Sequence, residues 1–341
     1  MHGDKLMPVA IQGDSGAGPC GWAGYSASVP DRGGALRRRL AAGQFAVTAE
    51  IGPPRGAATA PVASKAAHLR GWVDAVNITD NQSAAVRLSS LAGSLAALAA
   101  GVEPIMQLTC RDRNRIALQS ELLSASALGI PNVVIMTGDH PRHGDHADAK
   151  PVFDLDSTQL LRIATAMRDE GRLMSGGELK PPPSWLLGAV ENPPAGPIAQ
   201  ADAAEAADTA TWRLAAKIEA GAQFVQTQFV FDVPAFAAWM ARIRDLGLHE
   251  RCCILAGVGP IRSRRALAHM AGIPGVYVPD WVADRLIAAG PDRIRAEGDK
   301  LCSELIGELA QVPGVAGVHV MAINAESIIP EILQLAGVPA R

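Results

Sequence analysis

Glu50 interrupts an otherwise apolar run, Val47-Thr-Ala-Glu-Ile51. A carboxyl withdrawn from water in such a run favours its protonated form, which suits a proton donor near neutral pH. The competing use is a carboxylate paired with an arginine across a ligand-binding mouth. Two further apolar runs stop abruptly at polar residues. Pro104-Ile-Met-Gln-Leu-Thr-Cys-Arg-Asp-Arg-Asn-Arg115 delivers Gln107, Thr109, Arg111 and Asp112, and Val133-Val-Ile-Met-Thr-Gly-Asp-His-Pro141 delivers Gly138 and Asp139. Asp139 lies in a tight turn, where it serves either as a site carboxylate or as a turn cap. His140, His143 and His146 have the spacing of metal ligands, but Pro141 and Gly144 break any regular face and no Cys accompanies them. The expectation there is a polar loop and no metal. Lys217 is either an anion contact or a solvated helix charge. No G-x-G-x-x-G follows a strand and no Walker A motif occurs, so neither common nucleotide-binding loop is indicated.

These residues need a frame that gathers strand ends. Apolar, β-branched runs at 45–51, 73–79, 103–109, 132–137, 185–190, 223–229, 252–257 and 315–322 alternate with Ala/Leu-rich amphipathic stretches at 84–100, 113–128, 157–172, 201–220, 234–245 and 262–271. Such alternation implies parallel strands with right-handed crossovers. Eight units in a chain of 341 residues predict an α/β fold, a closed (β/α)8 TIM barrel, with chemistry at the carboxyl ends of the strands. The segment 275–281 is a competing strand that threatens the count. The segment 171–183, with three consecutive prolines, reads as a connection over the outside. Residues 1–34, rich in Gly, Pro, Ser and Ala, read as a flexible extension without the pattern of a signal peptide. The barrel domain is expected over 35–341.

Composition narrows the partners. The net charge is −3, with 19% charged residues, which gives no electrostatic reason to expect nucleic acid or an anionic membrane. No stretch is long and apolar enough for a membrane span. Five Cys with no C-x-x-C fit free thiols in a reducing cytoplasm.

Seven segments together carry a family resemblance: Glu50-Ile-Gly-Pro-Pro54, Gln107-Leu-Thr-Cys-Arg-Asp112, Thr137-Gly-Asp-His-Pro141, Val152-Phe-Asp-Leu-Asp-Ser157, Lys217-Ile-Glu-Ala-Gly-Ala222, Thr227-Gln-Phe-Val-Phe-Asp232 and Ala256-Gly-Val-Gly-Pro260. In this order and spacing the chain resembles the methylenetetrahydrofolate reductase family, most closely its short, single-barrel versions. The resemblance implies a flavin-carrying barrel that takes hydride from NADH or NADPH and passes it from FAD to a folate, giving 5-methyltetrahydrofolate. It implies Glu50 as the acid that protonates the folate nitrogen during ring opening. Asp139 is implied near the flavin and the pterin, and Gln228 at the substrate. Thr79, Gln107, Gly138 and Lys217 fall on flavin-contacting positions, with Gln107 where relatives often carry His.

Departures from the pattern lie around Val190, Ala210 and Ala216, where firm flavin binders carry aromatic and charged residues. They leave open direct hydride transfer from the nicotinamide. They also motivate an alternative, a folate-binding subunit working with a partner oxidoreductase or methyltransferase. The oxidative direction, the choice of nicotinamide and the oligomeric state stay open at this level.

Overall fold

The computed structural model describes residues 34–194, 196 and 203–341. The extension expected over 1–34 lies outside them except for Gly34. Eight strands, β1 (Ala46–Ile51), β2 (Ala75–Ile78), β3 (Pro104–Thr109), β4 (Asn132–Met136), β5 (Leu186–Glu191), β6 (Phe224–Phe229), β7 (Cys253–Val258) and β8 (Val315–Val320), are all parallel and close in sequence order, β8 pairing with β1. The expected (β/α)8 barrel is therefore present. The segment 275–281 adds no strand: Gly275 lies in a turn, 276–279 have no regular structure, and α10 begins at Asp280.

Twelve helices are described: α1 (Ala35–Ala41), α2 (Ala60–Leu69), α3 (Ser90–Ala99), α4 (Arg115–Ala127), α5 (Ser157–Asp169), α6 (Ala203–Glu219), α7 (Val233–Asp245), α8 (Leu248–Arg251), α9 (Arg264–Ala271), α10 (Asp280–Ala288), α11 (Ile294–Leu309) and α12 (Ile329–Leu335). Several begin on side chains that satisfy the open amides of the first turn. Asn114 caps α4 through Ile116 and Ala117, and Asp156 forms a capping box with Gln159 at α5. None of these helices is long and apolar enough to cross a membrane.

The apolar core lies mostly between the helices and the outer face of the barrel. A second apolar cluster fills the amino-terminal end of the barrel interior, with Ala46, Ala75, Ile105, Val134, Leu186, Phe224 and Leu255 supplied by the strands. Gly188 makes room for Phe224: a Cβ there would stand 2.4 Å from the ring. Leu36 and Leu40, four residues apart on α1 and so on one face, close this end. Glu103 holds the plug in place by accepting from the amides of Ala35 and Leu36. Burial pushes the Glu103 carboxyl above its ordinary range, although the Asn132 amide and those two amides act against it.

Leu40 is 1% exposed. Leu40→Ala is expected to lower unfolding stability by about 2–5 kcal/mol, the range for emptying a packed leucine site. The shift in urea midpoint measures it; an unchanged midpoint would mean that α1 is not part of the core.

Cys110, Cys252 and Cys302 are free and buried. The exception to the expected free thiols is Cys253, which is disulfide-bonded.

Candidate active site at the carboxyl end of the barrel

Alternate residues along each strand face the barrel axis. Thr48 and Glu50 of β1 therefore share a face, as do Asn77 of β2 and Thr79 just beyond it, Gln226 and Gln228 of β6, and His319 of β8 with Met321. This period places a polar layer midway up the barrel and a second polar layer at its mouth. Barrel interiors are mostly packed with branched apolar residues, so the middle layer is a departure that calls for its own hydrogen bonds.

It has them. Asn77 and Gln226 exchange amide hydrogen bonds, Nδ2 to Oε1 at 2.7 Å and Nε2 to Oδ1 at 3.0 Å. Gln226 Nε2 also donates to Thr48 Oγ1 at 3.1 Å. Thr48 Oγ1 in turn lies 3.0 Å from His319 Nδ1. Gln226 Nε2, which can only donate, also lies 3.3 Å from His319 Nδ1, and the Thr48 hydroxyl has the Val318 carbonyl at 3.5 Å as a further acceptor. A donor-only amide facing Nδ1 is compatible with the imidazole hydrogen on Nε2. That nitrogen stands 3.9 Å from Glu50 Oε2.

Gln107 Nε2 donates to the same Oε2 at 3.1 Å. Oε2 of Glu50 therefore accepts from Gln107 Nε2 and faces His319 Nε2. The Glu50 side chain is 15% exposed and lines a pocket at the mouth. Its surroundings are polar, in contrast to the apolar strand that the sequence suggests. Among the described residues, no arginine pairs with it.

The other expected site residues fall around this point at neighbouring strand ends. Thr79 is buried, and its Oγ1 has no hydrogen-bond partner. An unmet buried hydroxyl calls for a partner that the protein does not supply. Gly138 follows β4 with φ +88°, and a Cβ would come within 3.1 Å of Thr109 Cβ. Asp139 is exposed beside it, and its carbonyl accepts from Arg111 Nη1 at 3.4 Å. Gln228 is half-buried, with its Oε1 accepting from the Phe229 amide at 3.0 Å.

Lys217 is engaged: Nζ donates to the Val190 carbonyl at 2.6 Å and to Glu191 Oε2 at 2.7 Å. Glu191 also receives Arg213 at 2.8 Å. His140, His143 and His146 lie in the exposed loop after β4, where Arg142 Nε donates to His143 Nε2 at 3.0 Å. Among the described residues, no group of three or more His, Cys, Asp or Glu is arranged to hold a metal ion.

Two ion pairs set the loop after β3. Asp80 accepts from Arg113 at 2.7 and 3.1 Å and from the amide and hydroxyl of Thr109 at 3.0 and 2.9 Å. Arg111 forks onto Asp112 at 2.8 and 2.7 Å. Burial of Asp112 favours its neutral acid, but the hydrogen bonds and charge of Arg111, helped by Asn81 and Arg113, outweigh it and hold the carboxyl below its ordinary range. Cys110, between these arginines and β3, is no nucleophile: burial first, and Asp156 second, push its thiol up to about 12.

Sequence reasoning missed His319, Gln226 and Thr48 as members of the site. One signal was available, since His319 is a lone polar side chain in an apolar run, as Glu50 is.

Residues 35–337 match the family described as Methylenetetrahydrofolate reductase. Among curated relatives, a probable methylenetetrahydrofolate reductase (NADPH) of Caenorhabditis elegans is 25% identical over 239 residues, covering 70% of this chain and 33% of its own length. A 5,10-methylenetetrahydrofolate reductase of Pectobacterium carotovorum subsp. carotovorum is 24% identical over 240 residues, covering 70% of this chain and 71% of its own. The chain thus spans about a third of the length of the nematode relative. A solved structure of an uncharacterized protein from Clostridium thermocellum, which binds two copies of 5-methyl-5,6,7,8-tetrahydrofolic acid, shares the fold at a TM-score of 0.57 and 14% identity, covering 86% of this chain and 94% of that one.

Proposed function

Because the chain belongs to the methylenetetrahydrofolate reductase family, we propose that it reduces 5,10-methylenetetrahydrofolate to 5-methyltetrahydrofolate with hydride from NADH or NADPH. The observation that carries this reading is the carboxyl of Glu50, held on one oxygen by Gln107 and faced there by His319; its other oxygen is proposed to carry a transferable proton. In the proposed reaction Glu50 gives that proton to the folate nitrogen bearing the aminobenzoyl group. The carbon–nitrogen bond of the five-membered ring breaks, and an iminium forms on the one-carbon unit. Hydride from the nicotinamide then reduces it to the methyl group, leaving NAD(P)⁺. A fixed carboxyl delivers its proton along one direction, which is the condition for efficient general acid catalysis. Asp139 and Gln228 are the residues proposed to hold the pterin.

A bound flavin adenine dinucleotide would supply a hydride relay between nicotinamide and folate. Its ring end fits the residues present. The Thr79 hydroxyl is buried without a partner, and Gln107, Gly138 and Asp139 stand at adjacent strand ends. The fit weakens toward the adenosine. Lys217 is committed to Glu191 and Val190, and Ala210 and Ala216 offer no polar group. This weakness favours the second reading, a folate-binding subunit that relies on a partner for hydride chemistry.

Anaerobic mixing of purified protein with each reduced nicotinamide, with and without 5,10-methylenetetrahydrofolate, is the test. Folate-dependent nicotinamide oxidation with formation of 5-methyltetrahydrofolate is expected, together with flavin bands in the visible spectrum. Turnover without those bands would assign direct transfer. Folate binding with no turnover would favour the subunit. Incubation with 5-methyltetrahydrofolate and the oxidised nicotinamide tests the reverse direction.

A further inference from the structure

The pocket that touches Glu50 is about 380 Å³ in volume, part of it open to solvent, and lies among the loops that follow β1, β2 and β8. Glu50 and Gly52 form one wall, Gln82 and Arg87 a second, and Asn324 and Glu326 a third. Its charges are unequally matched. Glu326 is neutralised by Lys65 at 2.7 Å. Arg87 meets no carboxylate among the described residues: Nη1 donates to the Pro53 carbonyl at 3.1 Å, and Nε is buried with no partner. Arg111, Arg113, Arg213 and Arg285, by contrast, each face a carboxylate. An arginine whose guanidinium is half withdrawn from water and carries an unused donor is prepared for an anion of the ligand.

The backbone around it is strained on both sides. Asn81, Ser83 and Ala84 have φ of 47°, 57° and 54°, and Asn324 across the pocket has φ of 56°. Non-glycine residues held in this region gather where a binding geometry is over-determined by its surroundings. Asn81 Oδ1 also accepts from the Arg87 amide at 3.0 Å, which fixes where the arginine leaves the loop.

We infer that Arg87 anchors a glutamyl carboxylate of the folate tail, a role that rests on the folate reading above. The chemistry gives the direction. The nitrogen that Glu50 protonates is the one that bears the aminobenzoylglutamate, so the tail starts beside Glu50. The same pocket is lined by Glu50, by Arg87 and by the neutral side chains of Gln82 and Asn324. The phosphates of the nicotinamide dinucleotide are the other source of anionic groups.

Calorimetric titration of wild type, Arg87→Gln and Arg87→Lys separates the two sources. The ligands are 5-methyltetrahydrofolate, its glutamyl bis-amide, NADH and NADPH. Wild type is expected to bind the diacid about 10- to 100-fold more tightly than the bis-amide, the size of a charge-assisted contact. Arg87→Gln should bind both folates alike, at the wild-type level for the bis-amide, while Arg87→Lys keeps part of the preference. A glutamine variant that still prefers the diacid overturns the inference. So does one that loses nicotinamide dinucleotide affinity while keeping its folate preference. If circular dichroism shows that the glutamine variant is unfolded, the lysine variant decides, and an undiminished preference there overturns the inference. Because binding is read without turnover, an inactive protein with an Arg87-dependent preference sinks only the reductase reading. Turnover with no diacid preference sinks only the anchor.

Discussion

Glu50→Gln is expected to slow folate reduction about 10²- to 10⁴-fold, the usual contribution of a positioned general acid. The amide is nearly isosteric with the acid, and the site should receive it without rearrangement. Gln107 Nε2 and His319 Nε2 both lie on the Oε2 side of the group. A glutamine placed there would turn its oxygen toward those donors and its NH₂ toward the pocket. The variant therefore loses the transferable proton and little else. Calorimetry with 5-methyltetrahydrofolate should show affinity within a few-fold of wild type, while steady-state nicotinamide oxidation with 5,10-methylenetetrahydrofolate falls. Full turnover by Glu50→Gln would remove Glu50 from the proton step.

Asp80→Ala is expected to destabilise the fold by about 3–5 kcal/mol, the typical effect of removing one partner from a buried ion pair. The Asp80 side chain is fully buried and that of Arg113 is 15% exposed. Removing the carboxylate strands the guanidinium and leaves the Thr109 amide and hydroxyl without their acceptor. Thr109 packs against Gly138, so the loss should also loosen the turn that carries Asp139. Urea denaturation followed by circular dichroism measures the first effect. Asp80→Asn, which keeps an acceptor for Thr109 and loses the charge, should fall between wild type and alanine. Equal stability of alanine variant and wild type would show that the pair is not buried as described.

The barrel was legible because each strand is a short, continuous apolar run bounded by turn residues, which is how a strand covered on both faces must read. The segment 275–281 shows the limit of that signal. Its Val-Tyr-Val core has strand character, but it is short and leads directly into α10. The plug was not legible either. Ala-Leu-Arg-Arg-Arg-Leu-Ala is only seven residues long. Its importance comes from where Leu36 and Leu40 land, which is tertiary information.

At the candidate site, Glu50, Gln107 and the residues after β4 could be read from polar side chains that end apolar runs. Lys217 could not be read fully, because its spacing along α6 does not show Glu191 waiting at the end of β5. The Thr48, Asn77, Gln226 and His319 layer depended on barrel register, which links β1, β2, β6 and β8 across long stretches of sequence. Each of these residues precedes a mouth position by two, so the alternation was visible once the mouth was known.

The plug formed by Leu36 and Leu40 has a kinetic consequence. Among the described residues, hydrocarbon fills the amino-terminal end of the barrel, and the candidate site opens at the carboxyl end. In the proposed reaction, substrate, product and water use the carboxyl end, and so do protons exchanged with bulk solvent. If Glu50 is the proton donor of that reaction, then once it has spent its proton beneath a bound folate the ligand itself stands in the path of the replacement. Recharging the acid is then tied to product departure, and the release step and the resetting of the catalyst become one event.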